Sequence, residues 1–137
     1  MKPELLFEHL SYEEVNKAFS WVNRDGAPRD ECFMSTVYQG YTYGRGRGVR
    51  TYFPIEYSDL IDEIRNKVND ATGVSYEACF ANKYEGNRHH LGWHSDDSDS
   101  IDHTEGIPIV SFGAEREIWF REIGSKEVEK VSLHHGS

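Results

Sequence analysis

The chain has 137 residues, of which 37% are hydrophobic and 13% aromatic, and its formal net charge is −9 at pH 7. This length and composition fit one globular domain with a modest core and exclude a disordered segment. No apolar run approaches the roughly 20 residues of a membrane span, and the N-terminal apolar stretch is too short for a signal peptide. We therefore expect one domain over residues 1–137 in the cytoplasm, or in the nucleus if the source is eukaryotic.

The first half of the chain has signals for one helix and then for strands. Ser11 and Glu14 have capping-box spacing and predict a helix that runs to about Asn23, where residues 25–28 form a turn. Residues 32–43 are rich in Phe, Thr, Val and Tyr, which predicts one or two strands.

The glycine-rich stretch that follows predicts an exposed hairpin tip or loop over residues 44–50. Pro54 precedes a second predicted helix, from about Tyr57 to Ala71, and Gly73 is a suitable stop. Four short segments then favour strands: 76–84, 108–113, 117–121 and 128–133. Two helices followed by a run of strands predict an α+β fold.

Cysteine usage indicates no metal site. Cys32 and Cys79 lie far apart and form none of the short spacings that bind metals. In a reducing compartment they are most simply small buried hydrophobic side chains.

Charge is distributed unevenly along the chain. The net negative charge disfavours non-specific binding to a polyanion, because nucleic-acid binding normally needs a basic surface that releases counterions. Arg45, Arg47 and Arg50 nevertheless lie within one short stretch, and acidic residues gather between Asp96 and Glu105. A small basic loop suits a phosphate and an acidic cluster suits a cation.

The densest set of chemically active side chains lies in residues 82–97. His94 and Asp96 are separated by one residue, so on a β-strand they point to the same face and can approach one metal. With a second histidine, such a pair forms the facial triad of non-haem iron(II), which leaves three positions for a bidentate co-substrate and oxygen. The triplet by itself is a common pattern, and a solvated turn is the alternative interpretation.

Three segments with recognisable spacing surround this pair: 82–97, 107–121 and 131–137. Together they resemble the AlkB-like 2-oxoglutarate/Fe(II) dioxygenases, strongly from residue 80 to the end and less specifically from residue 28. The resemblance implies a double-stranded β-helix, or jelly-roll, core with the two N-terminal helices packed on one sheet.

The resemblance also implies roles for individual residues. His94 and Asp96 would be the catalytic iron(II) ligands, and Asn82 and Tyr84 would contact 2-oxoglutarate, whose carboxylates accept hydrogen bonds from an amide and a phenol. The implied activity is that of a dioxygenase, which uses molecular oxygen to hydroxylate an N-alkyl group on a nucleobase in DNA or RNA. Loss of formaldehyde then completes the demethylation, a reaction of DNA repair or RNA demethylation.

The substrate side of the implied site is aromatic and basic. Tyr38, Tyr41 and Tyr43 stand beside Arg45 and Arg47, a combination suited to stacking a base and holding phosphates. Alkylated single-stranded DNA or RNA is therefore the expected partner. An ordinary Tyr-rich strand with a solvated hairpin is the alternative. A protein or lipid substrate for the same cofactors, and a non-catalytic binding module on the same scaffold, also stay open.

Two parts of the family's site are missing from this sequence. The family has a second iron histidine, and an arginine that pairs with 2-oxoglutarate, after the turn that His134 and His135 occupy here. The sequence ends within that turn, at Ser137, before the closing strands of the jelly roll. We expect the sequence to be part of a longer protein. A second chain that supplies the missing strands and a naturally shortened relative are the alternatives.

Overall fold

Helices and short strands are distributed along the whole chain. A computed structural model describes residues 3–44 and 46–137, and within them two α-helices and seven β-strands form. In chain order they are α1 (Tyr12–Lys17), β1 (Val22–Asn23), β2 (Asp30–Ser35), β3 (Tyr41–Tyr43), β4 (Arg50–Tyr52), α2 (Asp59–Thr72), β5 (Ala78–Lys83), β6 (Arg116–Phe120) and β7 (Glu129–Leu133). The described strands pair into antiparallel sheets of order β1-β2-β5, β3-β4 and β6-β7. The mixed helix and sheet content confirms the α+β prediction.

The chain divides into two compact units. The split unit joins the N-terminal residues through Lys17 with Pro108–Ser137, and the continuous unit runs from Ala18 to Ile107. α1 belongs to the split unit and α2 to the continuous unit. None of the helices in the described part of the chain is long and apolar enough to cross a bilayer.

β2 is the central strand of the continuous unit, with β1 on one edge and β5 on the other. Its register places Glu31 opposite Asn82 and Phe33 opposite Phe80. Because directly opposite residues of an antiparallel pair project to the same face, these four side chains share one face of the sheet. That face carries Asn82, one of the two residues predicted to contact 2-oxoglutarate.

The apolar core of the continuous unit is small. Its buried hydrophobic side chains are Cys32, Met34, Tyr52, Ile61 and Ile64. Burial of one such side chain contributes about 1.5–3 kcal/mol for the larger aliphatic residues. Cys32 is buried as predicted, whereas Cys79 is only half-buried, and both thiols are free.

Helix α2 follows its sequence prediction closely. It was expected from Tyr57 to Ala71 and spans Asp59–Thr72. Gly73 ends the helix with φ 73°, and its N–H donates to the carbonyl of Asn69 at 2.8 Å. A residue without Cβ adopts this left-handed conformation at little cost, so the predicted stop is confirmed.

The prediction for helix α1 is correct at its start and wrong at its end. The capping box forms, since the N–H of Glu14 donates to Ser11 Oγ at 3.1 Å and the Ser11 hydroxyl donates to the Glu14 carboxylate. The helix stops at Lys17 rather than near Asn23. Asn23 instead pairs with Asp30 in the sheet, and its side-chain amide donates to the carbonyl of Ala27 at 3.0 Å. An asparagine side chain that bonds nearby backbone favours a turn over a helix.

The β3-β4 hairpin agrees with the sequence prediction. Tyr41 pairs with Tyr52 and Tyr43 with Arg50, and an exposed 3-10 turn at Gly46–Gly48 closes the tip. Gly44 has φ 95°, and a Cβ there would overlap the carbonyl oxygen of Gly48, so the turn requires glycine. The predicted substrate residue Arg45 lies outside the described residues.

In the split unit, β6 and β7 pair from Arg116–Leu133 to Phe120–Glu129. The strand predicted over residues 108–113 was wrong, because no strand is assigned there. The backbone of Ser111 instead exchanges hydrogen bonds with Ser137 (2.9 Å) and Gly136 (2.7 Å). These bonds satisfy the backbone without a β-ladder.

Candidate metal and substrate site

His94 and Asp96 lie side by side in a loop of the continuous unit. Nε2 of His94 is 3.4 Å from Oδ1 of Asp96, and the two side chains are 34% and 46% exposed. The expectation that this pair lies on a strand was wrong, since the chain described between β5 and β6 has no strand. The loop conformation, rather than strand alternation, brings the two side chains together.

The ring of His94 is oriented by its own loop. Nδ1 of His94 is 2.8 Å from the carbonyl oxygen of Gly92. Because a carbonyl only accepts, Nδ1 is the donor in this contact, and Nε2 is the ring nitrogen that faces Asp96. Metal-ligating histidines usually have such a bond from the second ring nitrogen. Two ligands about 2.1 Å from one metal and at right angles are about 3.0 Å apart, so the 3.4 Å pair fits adjacent ligands of one ion.

Asp96 also lines a cleft of about 270 Å³. Its walls are the hairpin strand β3 and the loop that follows His94, and they consist of Tyr41, Thr42, Tyr43, Gly44 and residues 95–100. The rings of Tyr41 and Tyr43 are nearly parallel, with centroids 6.5 Å apart, and the ring of Tyr43 stands edge-on to that of His94 at 6.5 Å. The cleft lining therefore combines three carboxylates, those of Asp96, Asp97 and Asp99, with two aromatic rings.

Hydrogen bonds attach this loop to the hairpin. The N–H of Thr42 donates to Ser100 Oγ at 3.2 Å, and the hydroxyl of Ser98 donates to the carbonyl of Thr42. Both backbone groups of Thr42 are thus bonded to side chains of the loop. The bonds hold β3 against the loop that carries Asp96.

Tyr41 stays a phenol at neutral pH. Burial raises its pKa above the usual value of 10, and the nearby carboxylates of Asp96 and Asp97 raise it further. The protonated hydroxyl is available as a hydrogen-bond donor in the cleft.

The residues predicted to contact 2-oxoglutarate lie on and just after β5. Asn82 is half-buried, and its Oδ1 is buried without a hydrogen-bond partner among residues 3–44 and 46–137. An unpaired buried polar atom costs about 1–3 kcal/mol, and because Oδ1 only accepts, a hydrogen-bond donor is needed to offset this cost. Tyr84 follows β5 and is 37% exposed. Neither residue lines the cleft beside Asp96.

The predicted substrate residues do not all lie together. Tyr41 and Tyr43 line the cleft with Asp96. Tyr38 is 79% exposed and stacks on Phe53, with ring centroids 5.6 Å apart, outside the cleft lining. Arg47 lies exposed in the 3-10 turn and does not line the cleft either.

A third metal ligand is not provided by the described part of the chain. No group of three His, Cys, Asp or Glu side chains within it is placed to hold a metal. His134 pairs with Glu115 at 3.0 Å. His135 accepts from the N–H of Gly113 at 2.9 Å and donates to the carbonyl of Leu10. His135 thus joins two segments of the split unit, whereas the contact of His134 is exposed, with both side chains 54% accessible.

The sequence reasoning missed a buried carboxylate on the same sheet face as Asn82. Glu31 is 5% exposed, accepts from the hydroxyl of Tyr52 at 3.1 and 3.3 Å, and lies 3.6 Å from Nε of Arg29. Buried acids are normally paired, so Glu31 directly before the apolar run 32–34 of strand β2 was the available signal.

Comparisons with known proteins are consistent with this geometry. The family model of the 2OG-Fe(II) oxygenase superfamily matches residues 8–137, and iron(II) and 2-oxoglutarate are the cofactors of that family. The DNA oxidative demethylase ALKBH2 of Mus musculus is 30% identical over 118 residues, which cover 80% of this chain and 48% of the mouse protein. The alpha-ketoglutarate-dependent dioxygenase alkB homolog 3 of Homo sapiens is 26% identical over 140 residues, which cover 91% of this chain and 48% of the human protein. The chain thus spans about half the length of these curated relatives. It belongs to the 2OG-Fe(II) oxygenase superfamily and, within it, to the AlkB-like dioxygenases.

Proposed function

We propose that this protein is an iron(II)- and 2-oxoglutarate-dependent dioxygenase that removes alkyl groups from nucleobases of DNA or RNA by oxidation. The observation that carries the proposal is the His94–Asp96 pair, with Nε2 and Oδ1 3.4 Å apart, beside a cleft lined by tyrosines. The name of the mouse relative, DNA oxidative demethylase, supports the same reaction.

His94 and Asp96 hold the iron, and Asn82 and Tyr84 bind 2-oxoglutarate. The bond between His94 Nδ1 and the Gly92 carbonyl keeps Nε2 free for the metal. The side-chain NH₂ of Asn82 can donate to a carboxylate of 2-oxoglutarate. Bound iron(II) and 2-oxoglutarate supply the two-electron oxidation of a C–H bond by molecular oxygen, with succinate and carbon dioxide as by-products.

Tyr41 and Tyr43 hold the base. Stacking of a base on an aromatic side chain contributes about 1–3 kcal/mol, and the two nearly parallel rings offer such a surface in the cleft. Tyr38, Arg45 and Arg47 contact the rest of the strand. After hydroxylation, the alkyl carbon leaves as formaldehyde.

The proposal includes a jelly-roll core with both helices on one sheet, and one AlkB-like domain that contains residues 1–137. The continuous family match over residues 8–137 supports one domain. A cytoplasmic location, or a nuclear one in a eukaryotic cell, suits a nucleic-acid substrate. A second chain that supplies strands is supported by neither the structure nor the similar proteins.

Removal of either metal ligand tests the function. In the native protein, we expect His94→Ala and Asp96→Ala to lower iron-dependent decarboxylation of 2-oxoglutarate at least about 100-fold, because a facial site that loses a ligand binds iron poorly. His90→Ala and Asp70→Ala, at exposed positions outside the cleft lining, are the controls and should stay near wild-type activity. Decarboxylation at the normal rate by His94→Ala or Asp96→Ala contradicts the proposal.

One observation favours a second candidate. The net charge of −9 suits a protein or lipid substrate for the same cofactors better than it suits a polyanion. Formaldehyde release from alkylated single-stranded DNA, alkylated RNA and methylated peptides, compared side by side, distinguishes the two. A non-catalytic module would bind neither iron(II) nor 2-oxoglutarate in a titration.

A further inference from the structure

Tyr43 lines two concave sites of the continuous unit. One is the cleft beside Asp96, and the other is a pocket of about 260 Å³. The remaining lining residues of this second pocket are Arg24, Ala27, Arg29, Glu31, Gly48, Arg50 and Tyr52. We call it the arginine pocket. Three arginines and one glutamate give its lining a net charge of +2, within a chain whose net charge is −9.

The base of the arginine pocket is built from buried groups. Glu31 is 5% exposed, and both of its carboxylate oxygens accept from the hydroxyl of Tyr52. The carboxylate also lies 3.6 Å from Nε of Arg29. Glu31 therefore offsets the charge of Arg29 and fixes its position. The positive charges of Arg24 and Arg50 have no second acid in the lining to offset them.

Arg24 and Arg50 are each held by contacts that leave donors for a ligand. The guanidinium of Arg24 lies over the ring of Tyr52, 4.2 Å from its centroid, and this contact is made without a hydrogen-bond acceptor for its N–H groups. Arg50 donates to the carbonyls of Val49 (3.1 Å) and Arg47 (3.4 Å), and both bonds use the same terminal nitrogen. Planar guanidinium groups positioned in this way match the oxygens of a phosphate.

We propose that the arginine pocket binds a phosphodiester of the nucleic-acid strand, next to the nucleotide whose base enters the cleft at Tyr43. Because Tyr43 is a wall of both sites, one strand can occupy them together, with its base at the Tyr41–Tyr43 rings and its backbone at Arg24 and Arg50. The inference rests on the proposed function for the identity of the strand. It also explains how a chain of net negative charge holds a polyanion, through a local pocket rather than a basic surface.

Binding of a fluorescent single-stranded oligonucleotide to the native protein, measured at several salt concentrations, tests the pocket. We expect Arg24→Gln and Arg50→Gln each to weaken binding about 3- to 10-fold and to reduce the slope of log K against log salt by about 0.7, the value for one phosphate contact on a single strand. Lys67→Gln removes one positive charge from an exposed position of α2 and is the control, with affinity and slope unchanged. An oligonucleotide with an abasic site should show the same losses, since its phosphates are intact.

Three outcomes separate this inference from the proposed function. If the wild-type protein dealkylates a base, but Arg24→Gln and Arg50→Gln both bind the oligonucleotide as tightly as Lys67→Gln does, the assignment of the arginine pocket is wrong and the proposed function stands. Strand binding that both variants weaken, without dealkylation of any base, overturns the proposed function alone. Absence of strand binding by the wild type overturns both. Displacement of the strand by millimolar inorganic phosphate at constant ionic strength would identify free phosphate as the ligand and overturn the strand assignment. Thermal unfolding of Arg24→Lys, which keeps the charge, separates loss of binding from loss of folding.

Discussion

Tyr52→Phe removes one hydroxyl from the centre of the continuous unit. Tyr52 is 8% exposed and its hydroxyl donates to both carboxylate oxygens of Glu31, at 3.1 and 3.3 Å. Phenylalanine keeps the contacts of the ring with Phe80, at 4.9 Å between centroids, and with the guanidinium of Arg24 at 4.2 Å. The substitution therefore reports on the hydrogen bond and leaves the packing in place.

The expected loss follows from the charge of the acceptor. A hydrogen bond to an ionised group contributes about 1.5–3 kcal/mol, and a buried carboxylate with fewer partners is poorly solvated. Since Arg29 still faces Glu31, we expect the free energy of unfolding to fall by about 2 kcal/mol, a factor of about 30 in the folded-to-unfolded ratio. Tyr57→Phe is the matched control, because its hydroxyl donates at 3.0 Å to the neutral carbonyl of Glu77. That loss should be about 1 kcal/mol.

Urea unfolding followed by tryptophan fluorescence measures both losses. The same titration of Glu31→Gln, with and without Tyr52→Phe, completes a double-mutant cycle, in which we expect a coupling energy of about 1 kcal/mol. Equal losses of unfolding free energy for Tyr52→Phe and Tyr57→Phe would refute the reasoning. So would a loss for Tyr52→Phe that is the same in the wild-type protein and in the Glu31→Gln variant.

The pKa of Tyr52 gives a second readout of the same contact. Burial raises this pKa above the usual value of 10, and the carboxylate of Glu31 raises it further. A raised pKa means that the folded state holds the proton more tightly than the unfolded chain. The contribution to stability is therefore complete below pH 10 and is lost as the pH rises through the folded-state pKa. Tyr52→Phe should lose less stability than the wild type over that alkaline range.

Two further predictions concern other parts of the chain. Gly136→Ala should cost at least about 2 kcal/mol more than Gly124→Ala in the same urea titration, because the φ values are similar (83° and 85°) but only at Gly136 would the new Cβ lie 2.5 Å from Cα of Glu8. Equal losses would contradict the close approach of the two backbones. Burial raises the pKa of Cys79 to about 11, so its alkylation rate with iodoacetamide, followed by mass spectrometry, should rise with a midpoint near pH 11. A midpoint near pH 9, the ordinary value, would show an unshifted thiol.

Local signals predicted the elements whose ends depend on nearby residues. Helix α2 was correct to within two residues at each end, because Gly73 supplies the left-handed conformation that stops it. The Ser11–Glu14 capping box formed as predicted for the same reason, since its partners are three residues apart. The hairpin tip also followed from its glycines.

Elements that depend on distant partners were predicted less well. The predicted helix α1 is too long, because Asn23 pairs with Asp30 in the sheet and its side-chain amide donates to a carbonyl of the turn between them. Residues 108–113 have strand-forming side chains, but the backbone of Ser111 forms hydrogen bonds with the backbone of Gly136 and Ser137 instead. In both segments the structure is set by hydrogen bonds to residues farther along the chain, which local propensity does not take into account.

The sequence by itself determined the family and the residue types of the candidate site. His94 and Asp96, with their neighbours from Asn82 onward, were identified from spacing, since the chemistry of a ligand set depends on which side chains are present. The tertiary structure decided which groups lie together. It placed Tyr43 between two sites and gathered Arg24 from the β1–β2 turn, Glu31 from β2 and Arg50 from the hairpin around one pocket. These groups lie on separate segments, and only sheet register and hairpin packing bring them within contact distance, so no spacing in the sequence could reveal them.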